Sequence, residues 1–200
     1  MSVDSQQQYH RPAVHGSPRS RKISKIAIPV AALALVAFSL FNVFITMNRE
    51  GLPEEIEGLM LYPDVTYEVV DGPIEYDVRP PYGGPNAGII QDCGRYRVPI
   101  RDEHAVASLA AGAVWIAYDP TIAEEEIDML HSHGAGELYV IVAPYPGLRA
   151  PIVMTAWGAQ VEIDSSLDPR IQAFIRDYAE SDDVPNPNRP CSGGVTIPSE

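Results

Sequence analysis

The chain has 200 residues and a formal net charge of −13, with 14 Lys and Arg against 27 Asp and Glu. Such a length accommodates one domain of about 100–150 residues with its own core. The acidity, with a pI near 4.7, argues against nucleic acid as a partner, because phosphate binding depends on Lys and Arg.

Residues 1–25 are rich in Gln, Ser, Pro, His and Arg and poor in large apolar groups. They bury too little surface to offset ordering entropy and are expected to be a disordered tail, with His10 and His15 solvated. Residues 26–47 follow without a single Asp, Glu, Lys, Arg or His. At about 1.5 Å per residue, a helix needs roughly 20 such residues to cross a bilayer, so this stretch is expected to be a transmembrane helix with Pro29 in its first turn. Its bulky end, Phe41 to Met47, suits signal cleavage poorly, since cleavage sites take small residues.

Charge gives the span a direction. Arg11, Arg19, Arg21, Lys22 and Lys25 precede it against Asp4 alone, a balance of +4 that leaves −17 for the remainder of the −13 chain. Basic residues stay on the cytoplasmic side, which puts the N-terminus inside and residues 48–200 outside. The expected localisation is therefore the cell membrane, single-pass, with the lipid bilayer as a partner of residues 26–47. The tail's bases could also touch anionic head groups, although a topology signal suffices to explain them.

Gly51 to Tyr62 reads as part of a juxtamembrane linker over 48–62, followed by one extracytoplasmic domain over 63–194 and a short tail over 195–200. Within the domain, Thr66–Val70 is β-branched and aromatic enough for a strand. Pro73, Pro80, Pro81, Gly83, Gly84, Pro85 and Gly88 then mark a long loop. Ala113–Tyr118 is apolar on both alternating faces and predicts a central strand covered on both sides. Leu138–Ala143 and Ile152–Trp157 read similarly, and Gln160–Ile163 adds a short outer strand. Asp119-Pro120, with Thr121 and Glu124 at capping-box spacing, predicts a helix that Gly134 stops. A second helix begins at Asp168-Pro169 and puts Ile171, Phe174, Ile175 and Tyr178 on one face. The fold class expected is α+β, a mixed sheet with about two helices.

Candidate chemistry is sparse. His131 and His133, two apart in a last helical turn, point to different faces and suit the helix dipole better than a metal. His104 reads as a loop histidine. Glu124, Glu125 and Glu126 spread around their helix as a solvated face, unlike a calcium loop. Met129 and Met154 lie in apolar patterns and are expected in the core. No nucleophile elbow, Walker loop or dinucleotide fingerprint is present. Cys93 and Cys191 both fall outside the membrane, where disulfides persist. A bridge between them would close a loop of roughly 100 residues; buried thiols or a weak metal pair are the alternatives.

Several segments occur together and in order: Pro80-Pro81-Tyr82-Gly83-Gly84-Pro85, Asp92-Cys93-Gly94, Ser108-Leu109 followed by Gly112 to Tyr118, Ala143 to Leu148, Thr155-Ala156-Trp157-Gly158, and Pro190-Cys191-Ser192-Gly193-Gly194. Over about residues 66–194 the chain resembles the bacterial domain of unknown function 3105 family, whose members are typically anchored by one N-terminal span. The resemblance implies that Cys93 and Cys191 are the family's paired cysteines, and it brings no established activity. It also implies a departure. The family pattern has His where this chain has Asn86, and His-Ser-Leu-Glu-His-Gly where this chain has Ala107-Ser108-Leu109-Ala110-Ala111-Gly112. The His-x-x-Glu-His spacing would put metal-ligand types on one helical face. Ala107, Ala110 and Ala111 have no donor atom.

The resulting expectation is a non-catalytic scaffold or binding module with no catalytic residue, no metal and no cofactor. Its expected partner is another membrane or envelope protein. The rival reading is a copper- or zinc-binding protein, or a metal-dependent enzyme, using His104, His131 and His133.

Overall fold

The computed structural model describes residues 38–39 and 55–196. The predicted tail, nearly all of the predicted span and residues 48–54 of the linker lie outside the described residues. Among the described residues no helix is long and apolar enough to cross a membrane. The chain divides into two units, Met1–Leu52 and Pro53–Glu200, and the second carries the fold.

That unit is α+β. Its elements are β1 (Met60–Leu61), β2 (Glu68–Val69), β3 (Pro85–Asn86), β4 (Gly94–Arg95), α1 (Asp102–Leu109), β5 (Val114–Tyr118), α2 (Glu124–His133), β6 (Val140–Pro144), β7 (Ile152–Ala156), β8 (Ala159–Ile163) and α3 (Arg170–Tyr178). Among the described residues, six strands form a mixed sheet in the order β1-β8-β7-β5-β6-β4, and β2 and β3 form a small parallel pair. The β5–β6 pair is parallel, joined through α2, whereas β5–β7 and β7–β8 are antiparallel.

The predicted central strand is central, and its alternation explains the layers. Val114, Ile116 and Tyr118 face a core shared with Ile127 and Leu130 of α2 and Ile171, Phe174 and Ile175 of α3. Trp115 and Ala117 face the other way, packing with Ala105 and Leu109 of α1, Ile141 and Tyr145. A strand buried on both faces can be apolar throughout, and each large side chain so buried contributes about 1.5–3 kcal/mol.

The structure departs from the expected elements at several places. Among its described residues the domain has three helices, and α1 is the one that the expected pair lacks. Residues 105–109 are all buried, so the helix shows no polar stripe to give it a period. His104 consequently lies in α1 and not in a loop. The first predicted helix starts at Glu124, not at Asp119-Pro120. Asp119 Oδ1 instead accepts both the Thr121 backbone N–H (2.8 Å) and the Thr121 hydroxyl (2.7 Å), in a turn ahead of the helix, whose N-cap is Ala123 with no side-chain cap bond. Strand β8 is not the outer strand, because β1 pairs beyond it, Met60 opposite Gln160 and Leu61 opposite Ala159.

The domain thus begins before Pro63, and Ile56 is already part of the core. At the other end it reaches Val195, which accepts the Asp92 N–H (2.8 Å) and donates to Ile90 O (2.9 Å). The Pro-rich loop does hold one short strand, β3, with Glu68 opposite Pro85 and Val69 opposite Asn86. Met154 is buried as expected, whereas Met129 is 38% exposed. Gly134 ends α2 with an ordinary helical φ of −83°. Its lack of a side chain is a packing requirement, since a Cβ would stand 2.7 Å from Val142 Cγ2.

Candidate functional site

The disulfide is formed, Cys93 to Cys191, with the Cα atoms 5.3 Å apart. Backbone bonds continue the seam: Cys93 N–H donates to Cys191 O (2.9 Å), and Gly194 N–H donates to Asp92 Oδ1 (2.6 Å). A Cβ on Gly194 would fall 2.1 Å from Ile90 O, so the Cys-Ser-Gly-Gly motif is a clasp that closes against 90–93.

The four positions at which the resemblance puts ligand-capable residues, Asn86 in β3, Ala107 in α1 and Ala110 and Ala111 just after it, are all buried, and α1 packs against β3. Asn86 is committed to backbone: its amide nitrogen donates to Glu68 O (3.1 Å) and Gly84 O (3.4 Å), and its Oδ1 accepts from Gly88 N–H (2.9 Å). Ala107 and Ala111 pack with Ile90. Ser108, between them, donates to Gln91 O (2.7 Å) and His104 O (3.1 Å). Asn86 and three alanines supply no imidazole, carboxylate or thiolate, so this junction does not fit a transition metal.

The histidines do not converge. His104 Nδ1 is 2.7 Å from Ile89 O. His133 donates from Nε2 to Ser166 O (2.8 Å) and accepts at Nδ1 from Gln172 Nε2 (2.7 Å). His131 turns toward the Tyr118 ring, 6.1 Å between centroids. Its buried Nε2 has no hydrogen-bond partner among the described residues. Burial, followed by the charges of Arg97 and Arg95, lowers its pKa. Among the described residues no group of three or more His, Cys, Asp or Glu is placed to hold a metal ion. The glutamates of α2 diverge as expected: Glu124 pairs with Arg97, and Glu126 accepts from Ser165 (3.2 Å).

Sequence reasoning missed a polar knot under the Pro-rich loop. Arg79 Nε donates to the Tyr145 hydroxyl (3.0 Å), which donates to Asp102 Oδ2 (2.9 Å). The Tyr145 ring also lies edge-on to Trp115, 5.5 Å away. Burial raises the Asp102 pKa and pushes the Tyr145 hydroxyl up to about 12. Burial likewise raises Tyr76, whose hydroxyl donates to Pro85 O (2.6 Å). A hydroxyl that both donates and accepts, and stays protonated at neutral pH, is a tie and not a base. The knot fixes the loop, with Gln160 Nε2 holding Pro80 O (2.8 Å) and Arg149 holding Arg79 O (3.1 Å).

What the loop encloses is a cleft of about 550 Å³ between residues 61–66 and 75–85, walled by Tyr62, Tyr76 and Tyr82 with Pro63, Pro81 and Pro85. Gly158 ties two of its walls together: Tyr62 N–H donates to Gly158 O (2.7 Å), and Gly158 N–H donates to Tyr82 O (2.8 Å). The spacing could have been suspected only from the Pro-Pro-Tyr-Gly-Gly-Pro run, which marks a turn without naming its partner.

The sequence profile of the family described as "Protein of unknown function (DUF3105)" matches residues 69–193. The chain belongs to this family. The match takes in the loop, the disulfide, all three helices of the domain and every strand except β1 and the first residue of β2, and it ends one residue before Gly194 of the clasp, which makes the knot and the Cys93–Cys191 bond parts of the DUF3105 region. No curated protein and no solved structure matches the chain.

Proposed function

We propose that the chain is a membrane-tethered, non-catalytic binding module of the cell envelope. Residues 26–47 anchor it with the basic tail inside, and the disulfide-bonded domain engages another envelope or membrane component outside. The observation that carries the reading is the filling of the α1–β3 junction. Where the resemblance implies His, His, Glu and His, this chain has an Asn86 bonded wholly to backbone and three buried alanines. A site whose donors are replaced together keeps its packing and loses its metal chemistry. The tyrosine-walled cleft remains as a concave surface of the size that binding sites take. The tether is supported by the charge split across 26–47 and by two cysteines on the side where disulfides last.

Metal analysis of the purified full chain in detergent tests the reading. The expected result is no stoichiometric copper or zinc after dialysis. Stoichiometric metal that disappears in His104→Gln or His131→Gln would overturn it in favour of a metal protein.

A further inference from the structure

The Tyr-walled cleft combines acidic and aromatic lining, whereas the hollow of Glu55 and Glu57 at residues 55–61 is acidic without a base but has no aromatic wall. Asp64, Glu75 and Asp77 line the cleft, and no Lys, Arg or His does. The hollow near α3 that contains Glu137 and Glu180 also contains Arg176, and the one that contains Glu55, Glu57 and Asp168 also contains Arg170. Elsewhere among the described residues five arginines are met by internal acids: Arg97 by Glu124 and Asp128, Arg101 by Glu103, Arg149 by Glu162, Arg170 by Asp168 and Arg176 by Asp177. None of the three cleft acids has an ion pair among the described residues. A cleft lined by both carboxylates and tyrosines suits an ammonium group, which gains from the ring quadrupole as well as from opposite charge.

The surroundings select the kind of ammonium. Leu61, at the cleft lip, is 63% exposed, and Tyr67, which follows the lining residue Thr66, is 39% exposed. Tyr67 lies 6.1 Å from Trp157, whose ring packs on the Gly83 backbone of the cleft wall. A small free amine would leave these apolar side chains uncovered, whereas a polypeptide would cover them.

We propose that the cleft at residues 61–85 receives a lysine side chain of a protein partner, with apolar neighbours of that lysine resting on Leu61 and Tyr67. The proposal rests on the binding-module reading and names the partner's chemistry for it. The alkyl stem lies along Tyr62, Tyr76 and Tyr82, and the ammonium meets Asp64, Glu75 and Asp77.

The test titrates the full chain in detergent micelles with a capped Ala-Leu-Lys-Leu-Ala peptide, followed by amide NMR. The expected shifts are confined to residues 61–85, Tyr67 and Trp157, and they weaken with added salt. Replacing the lysine by norleucine, or the protein by the Asp64→Asn, Asp77→Asn variant, weakens binding at least about tenfold. An unchanged denaturation midpoint shows that the variant is folded. Absence of shifts at the cleft, equal binding of the norleucine peptide, or tighter binding of free spermidine than of the peptide each overturns the proposal. Any of these in a metal-free protein leaves the binding-module reading standing on another surface. Stoichiometric metal in the same preparation removes that reading itself.

Discussion

Tyr62 and Tyr82 stack face to face, with ring centroids 3.7 Å apart and planes within 4°, although 20 positions separate them in sequence. The same two residues share Gly158 through backbone bonds of 2.7 and 2.8 Å. The stack therefore depends on the β7–β8 turn and not on any local feature of the Pro-rich loop. One wall of the cleft is built by strand pairing at the far end of the chain.

Gly158 is the residue that this arrangement spares least. Its φ is +70°, and a Cβ would stand 2.9 Å from Tyr62 O. Gly158→Ala is expected to cost about 1–3 kcal/mol in denaturant unfolding and to disperse the Tyr62 and Tyr82 resonances. Gly147→Ala is the control, with φ +80° but nothing within 4 Å of the added carbon. It meets backbone strain alone, about 1 kcal/mol, and leaves the tyrosines unmoved.

Tyr145→Phe removes a hydroxyl that accepts from Arg79 and donates to Asp102. The ring and its packing on Trp115 survive, so the loss isolates the tie. A half-buried Asp102 left without its donor is expected to cost about 1 kcal/mol. A double-mutant cycle with Asp102→Asn should recover a coupling of about 0.5 kcal/mol or more between the two sites.

Reduction of the disulfide, or Cys93→Ser with Cys191→Ser, releases a sequence separation of 98 residues. The chain-entropy model assigns such a loop about 4–5 kcal/mol. The measured denaturation midpoint should fall accordingly. Amide exchange should rise first in β4 and at 190–195, which the clasp joins directly.

His131 gives the domain a pH dependence of definite sign. Its folded pKa lies below the ordinary 6.5 because of burial and the facing charges of Arg97 and Arg95, partly offset by Asp128 and Glu124. Below about pH 6.5 the unfolded chain therefore binds more protons than the folded one, and stability falls as pH drops. Above that value the contribution is fully present. The unfolding midpoint should decrease between about pH 7 and pH 5, and His131→Gln should flatten that slope.

Much of the sheet was legible in the sequence for a physical reason. Val114–Tyr118 and Ile152–Ala156 are buried on both faces, and no soluble surface strand carries such a run. The amphipathic face Ile171, Phe174 and Ile175 fixed α3 equally well. Helix α1 escaped because burial all round erases the period that reveals a helix, although Ala-rich composition and the first-turn acids Asp102 and Glu103 were a usable signal. β1 escaped because two residues carry no pattern and its partner β8 lies about 100 positions away. The Arg79–Tyr145–Asp102 knot and the cleft were illegible for the same reason, being made by contacts between distant segments.

Site-specific photo-crosslinking in intact membranes tests the central claim, that this domain works by binding through its cleft. A crosslinker at Thr66 lies on the cleft lining beside β1, one edge of the sheet; one at Asp128 lies by Arg97, just beyond β4 at the opposite edge. The account predicts a discrete protein adduct from Thr66 that is lost with Asp64→Asn, Asp77→Asn and absent from Asp128. Identical adducts from both positions, or none from Thr66, would contradict it.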